Sequence, residues 1–261
     1  MTQALWIAKT GLDAQQKRMA VISNNLANVN TTGYKKSRAV FEDLLYQNIR
    51  QVGSQTSQDT RAPTGLNLGT GVKTVATEKL FTQGNHVETG NPLNMEVQGR
   101  GFFQILMPDG TVGYSRDGSF QRDEQGQMVT SNGYLLQPSI TIPEDTVSLS
   151  IGNDGVVTAL QPGSASPSQI GSIQLADFVN PAGLQPIGQN LFVESASSGT
   201  PRISTPGLNG VGTISQGALE SSNVNVVEEL VNMIEAQRAY EMNSKAISTA
   251  DRMLQYVSNN L

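Results

Sequence analysis

A chain of 261 residues with 26 glycines, 37% hydrophobic and 5% aromatic residues has room for one or two domains but little apolar material for one large core. A formal net charge of −5 is the wrong sign for a nucleic-acid binder. The lack of cysteine excludes disulfides, thiolate metal sites and a thiol nucleophile, and no apolar run approaches the roughly 18 residues of a membrane span.

From Thr2 to about Asn28 the pattern predicts a helix ~40 Å long, with Thr2 as N-cap. Leu5, Leu12, Met19 and Leu26 fall seven apart, interleaved with Ala8, Gln15, Ile22 and Val29. That spacing keeps one narrow apolar seam along a pair of wound helices. The asparagines from Asn24 to Asn30 weaken the helix, and Thr31-Thr32-Gly33 ends it. This start lacks a basic stretch followed by an apolar core, so it does not read as a secretory signal. Lys35, Lys36 and Arg38 form the one compact basic cluster and read as a solvated turn. Val40 to Tyr46 is apolar enough for a short helix or a strand.

Residues 47–63, including Gln47, Arg50, Gln55, Arg61 and Pro63, are polar and read from composition as a linker. Between about Gly65 and Gly217 the grammar is β. Short apolar runs alternate with Asp109-Gly110, Asp117-Gly118, Gln125-Gly126, Asn132-Gly133 and Asp154-Gly155, which predicts a series of hairpins with type I′ turns. From about Asn223 onward there is neither Gly nor Pro, which predicts a helix near 55 Å long. Asn223 or Asn225 caps it, and Glu228 and Glu229 complement its dipole. Its seam runs through Met233, Tyr240, Ile247, Leu254 and Leu261, interleaved with Ala236, Asn243, Ala250 and Val257.

The expected fold class is therefore α+β: N- and C-terminal helices pairing as a coiled-coil-like inner layer, with a central all-β hairpin-rich domain. The expected borders are 1–33 and 223–261 for the helical domain, 34–70 and 200–222 for connectors, and 71–199 for the β domain. Leu230, Ile234 and Met242 lie off the C-terminal seam and widen the apolar face beyond what one partner helix covers. Two readings stay open: an ordinary antiparallel pair closing one domain, or packing against further copies into an open helical filament. On the second reading Gln15 and Asn243 fix register as polar seam residues.

No motif carries catalysis. His86 is the sole histidine and reads as a loop residue, with no Ser/His/Asp set around it. Asp117, Asp123 and Glu124 lack the spacing of a calcium loop. The Asn30-Thr31-Thr32 sequon and the lone Gly99-x-Gly101 carry little weight. No enzyme activity, metal or cofactor is expected.

Leu5 to Gln16 (LWIAKTGLDAQQ) and Ser23 to Lys35 (SNNLANVNTTGYK) closely resemble the N-terminal signature of bacterial flagellar rod and hook axial proteins. Gly99-Arg100-Gly101-Phe102-Phe103 resembles that family's central motif. Leu219 to Val226 and Ala236 to Glu241 (AQRAYE) resemble its C-terminal signature. The length, Trp6 and the Phe41-Glu42-Asp43-Leu44-Leu45-Tyr46 segment are most similar to the distal-rod branch.

The resemblance implies a homo-oligomeric helical tube built on both seams, the N-terminal one and the C-terminal one through Leu230. It implies export by the flagellar type III apparatus without a cleaved leader, and no nucleic-acid or membrane partner. Expected partners are proximal rod proteins, hook or hook–rod junction proteins and surrounding ring proteins, with the tube spanning the periplasm. It also implies that residues 47–63 are an ordered extension that stiffens the tube. The alternatives are a neighbouring axial component, or a ligand-binding or cell-wall-binding β module dimerised by its helices.

Overall fold

The computed structural model describes residues 2–55, 63–163 and 166–259, with the backbone alone at Thr2, Val257 and Asn259. By contacts the chain divides into two units: residues 1–26, 37–78 and 225–261, and residues 27–36 and 79–224. Thus 37–78 groups with the helices and 200–222 with the β strands.

The first unit holds α1 (Thr2–Ala27) and α2 (Val226–Asn259). Of the two candidate caps for α2, Asn225 takes the position: its Oδ1 accepts from the Val227 amide at 3.0 Å, and Glu228 and Glu229 follow in the first turn. The ambiguous stretch after α1 resolves as strand β1 (Ser37–Asp43). It is followed by β2 (Gln47–Arg50), β3 (Leu66–Leu68) and β4 (Val72–Lys79). β4 carries Val72, Thr74, Val75 and Thr77, β-branched side chains that favour extended backbone, and it pairs with β1. β2 and β3 form a separate antiparallel ribbon, Gln47 opposite Leu68 and Arg50 opposite Leu66, with a register shift between Asn48 and Arg50.

Apart from a short 3-10 helix at Pro181–Gly183, the elements of the second unit from residue 79 on are strands: β5 (His86–Glu88), β6 (Met95–Gln98), β7 (Phe102–Leu106), β8 (Val112–Ser115), β9 (Phe120–Arg122), β10 (Met128–Thr130) and β11 (Leu135–Gln137). There follow β12 (Ser148–Ile151), β13 (Val156–Leu160), β14 (Ser168–Ser172), β15 (Leu175–Asp177), β16 (Gln185–Gly188), β17 (Leu191–Val193), β18 (Arg202–Ser204), β19 (Thr213–Gln216) and β20 (Ala218–Glu220). The main sheet has nine strands, with β16-β17-β8-β7-β11-β10-β9 in order and β15 joining β7 to β18. β12-β13-β14 make a second sheet, while β19 pairs with β6 and β20 with β5.

Adjacent side chains on a strand point to opposite faces, and the Phe102-Phe103 pair uses this to seed two cores. Phe103 packs with Met95, Val97, Phe120 and Leu136; Phe102 packs with Tyr114, Phe178 and Phe192 on the other side. Phe102 meets Phe178 and Phe81 edge-on, at centroid separations of 5.9 and 5.4 Å.

The β7–β8, β9–β10, β10–β11 and β12–β13 turns fall where Asp-Gly, Gln-Gly and Asn-Gly pairs predict them. Only the glycine of each pair has positive φ, so these are not type I′ turns as expected. Asp117-Gly118 joins no hairpin. Asp117 Oδ1 instead accepts from Ser119 N and the Ser119 and Thr32 hydroxyls. Consecutive positive-φ residues occur at Gly188-Gln189-Asn190, between β16 and β17, which carries no such sequence signal, and at the Asn-Gly pair Asn209-Gly210, between β18 and β19.

Candidate assembly site

Within the helical unit α1 and α2 run antiparallel. A Cβ on Gly11 would sit 3.1 Å from Asn243 Nδ2, Arg18 Nη2 reaches Asn232 Oδ1 and Glu235 Oε2, and Asn25 Nδ2 reaches Glu229 Oε2. Gly11, Arg18 and Asn25 are seven apart, one residue ahead of Leu12, Met19 and Leu26. Ala14, Ile22 and Asn25 are buried on this row. The seam residues Leu5, Ala8, Leu12, Gln15, Met19 and Leu26 are half-buried on its flank, and Val29 is half-buried beyond the helix end, in the β unit.

On α2 the face toward α1 holds buried Ala236 with half-buried Met233, Asn243, Ile247 and Ala250. Tyr240 and Leu254 on or beside it are exposed, and so is Leu230, roughly 120° round the helix from Ala236. The Val257 side chain and Leu261 lie outside the described residues. At 3.6 residues per turn, Val227, Val231, Ile234 and Met242 fall on the opposite side of α2. All four are exposed, Ile234 at 50% and Met242 at 68%. A helix apolar on two opposite faces has surface for more than one partner.

The β2–β3 ribbon is equally uncovered. Gln47, Ile49, Arg50 and Leu66 are exposed, as are Gln55 and Pro63 further along; Arg61 lies outside the described residues. Leu45, at its base, is 90% exposed, and Tyr46 is exposed beside it. Trp6 is also exposed, with the Lys9 ammonium 5.3 Å from its ring centroid. Two-stranded ribbons are marginal in water, and this one presents apolar side chains to solvent.

A further cluster, inside the β unit, is one that sequence reasoning missed. Lys35 is not in a solvated turn. Its side chain is fully buried and Nζ donates to Glu220 Oε1 at 2.6 Å and to Thr82 O at 2.8 Å. Burial lowers the Lys35 pKa below its ordinary value, against the opposing pull of Glu220. Glu220 Oε1 also accepts from Gly84 N at 2.7 Å, and its Oε2 lies 3.6 Å from Arg116 Nη1. Arg116 donates to Val97 O and Gly99 O and stacks over the Phe102 ring at 5.2 Å. Asn223, the unused cap candidate, accepts from Lys36 N at 2.7 Å and donates to Leu80 O and Thr82 O. His86, half-exposed on β5, bonds through Nδ1 to the buried Glu96.

All three sequence signatures thus converge on one buried junction. Lys35 ends the first, Glu220 and Asn223 lie in the last, and Gly99 and Phe102 belong to the middle one. A buried polar residue shared by distant motifs was the available signal; charge in a turn-like context concealed it.

Three family descriptions match the chain: flagella basal body rod protein over residues 5–35, the flagellar hook protein FlgE/F/G D1 domain over 96–159, and the flagellar basal body rod FlgEFG protein C-terminal region over 215–261. The chain belongs to the flagellar rod and hook FlgE/F/G family. Full-length relatives include flagellar basal-body rod proteins FlgG. It is 55% identical to that of Buchnera aphidicola subsp. Schizaphis graminum, with 99% of both chains covered. It is 48% identical to that of Caulobacter vibrioides, with 98% of each covered, and 37% identical to that of Bacillus subtilis, with 99% of each covered.

Proposed function

We propose that the chain is a non-enzymatic structural subunit of the flagellar distal rod, polymerising into a rigid helical tube that carries torque from motor to hook. The observation that carries this reading is the pairing of full-length similarity to rod proteins with a terminal helix apolar on two opposite faces. One face of α2 is used by α1; the other is left for neighbouring copies. On this reading the half-buried α1 seam also meets neighbours, and the chain reaches the periplasmic rod through the flagellar type III apparatus. Proximal rod, hook-junction and ring proteins contact the tube. The β2–β3 ribbon and the segment through Pro63 touch adjacent subunits and resist bending.

Electron microscopy of basal bodies from cells lacking this gene tests the reading. A truncated rod without a hook is the expected result. A complete rod with a missing hook would transfer the chain to a hook-type role, and intact flagella would remove it from the axis.

A further inference from the structure

The buried junction has an order built into it by chain connectivity. Lys35 and Arg116 are made early and Glu220 late, 185 residues after Lys35. Among the described residues, Glu220 is the carboxylate within ion-pair distance of both cations. The side chains of Lys35 and Arg116 are at most 4% exposed, so burying them before Glu220 arrives leaves two cations without their ion-pair partner, with Glu96 and, for Arg116, Asp177 acting only from beyond ion-pair distance.

The segment that brings Glu220 is a strap across the unit. Its strand β19 pairs with β6, β20 pairs with the short β5, and Glu220 O accepts from Gly33 N at 2.8 Å. Asn223 then fastens residues 36, 80 and 82. The strap lies so close that a Cβ on Gly84 would overlap Ser221 O.

We propose that residues 213–224 are a completion lock: the stretches 33–36 and 80–84 close onto the β unit only when Glu220 neutralises the Lys35–Arg116 pair, so chains lacking the C-terminal signature stay open. The lock acts inside one subunit and does not rest on the rod assignment. Its consequence is that a partly synthesised or partly delivered chain does not present a finished β unit to its neighbours.

Pulse-labelled hydrogen exchange during refolding of the full chain tests this. In the unsubstituted protein, the amides of Tyr34 and Leu80, whose acceptors Thr31 O and Lys36 O lie off the strap, gain protection in the same phase as those of 213–224. In Lys35→Met, where Glu220 still balances Arg116, Tyr34 and Leu80 gain protection at least about tenfold sooner than the strap. Glu220→Gln lowers native-state protection at Lys36 and Gly84 by about 100-fold or more, the scale of one broken buried ion pair. Lys35→Met/Glu220→Gln recovers at least tenfold of that loss. Protection of Tyr34 and Leu80 before the strap in the unsubstituted chain would overturn the proposal. So would simultaneous protection in Lys35→Met, or no recovery in the double variant. Should Glu220→Gln not fold, the kinetic comparison with Lys35→Met decides alone.

Discussion

Gly11 shows how one residue sets a helix contact. Glycine within a helix costs about 1 kcal/mol relative to alanine, yet a Cβ here would press on the Asn243 amide at 3.1 Å. Gly11→Ala therefore changes the stability of the helical unit by less than about 1 kcal/mol, the propensity gain offset by displacement of Asn243. Gly11→Val separates the helices and costs about 1–3 kcal/mol by overpacking. Thermal unfolding followed by circular dichroism distinguishes the two.

Lys79 is a second, half-buried cation beside Lys35. Its Nζ donates to Lys35 O at 3.2 Å, stands 4.9 Å from the Tyr34 ring centroid, and burial lowers its pKa from the ordinary 10.5. Between the lowered folded value and 10.5 the unfolded chain binds more protons, so Lys79 makes stability rise with pH across that window. Lys79→Met keeps the apolar stem and removes the titration. Denaturant unfolding between neutral and mildly alkaline pH should then show a smaller rise in the variant than in the unsubstituted protein.

Elements were legible where periodicity is the cause and illegible where exposure or burial contradicts residue type. The order helix, β region, helix follows from seven-residue spacing at both ends and turn glycines between them. The strand at Ser37–Asp43 could not be separated from a helix because its apolar run is short, and its partner β4 lies about thirty residues on. The ribbon β2–β3 hid in a polar stretch because Ile49, Leu66 and Leu68 face solvent, leaving no inward–outward alternation. Lys35 was misread for the opposite reason: its counter-charge is nearly the whole chain away.

The α2 faces make different predictions. Ile234→Asp with Met242→Asp places charges on exposed positions, so the monomer's thermal midpoint stays within the range of ordinary surface changes. Polymerisation is lost, because in the assembled tube those charges enter an apolar contact. Ala236→Asp, at the fully buried position of the face toward α1, unfolds the helix pair itself. Sedimentation beside circular dichroism separates these outcomes; a stable double variant that still polymerises would refute a role for the outer face.

At the scale of the whole molecule, charge is divided unevenly. The helical unit carries ten Lys/Arg and ten Asp/Glu, the β unit seven and twelve, so the net −5 belongs to the β unit. In the proposed tube, this division favours the neutral helical units at small radius, where self-repulsion would be least, and the like-charged β units at the larger spacing of an outer layer. Stiffness then depends on contacts at large radius. Deleting residues 47–63 removes β2 and leaves β3 unpaired, so tubes still form but curve measurably in electron micrographs. Straight tubes after the deletion would show that the ribbon contributes no rigidity.

The most direct measurement is a helical reconstruction of the rod in isolated basal bodies containing this chain. The expected reconstruction has α1 and α2 in the inner layer, Ile234 and Met242 buried against a neighbouring copy, and the β unit outside. An outer face of α2 left bare, or a β unit lining the tube, would contradict it.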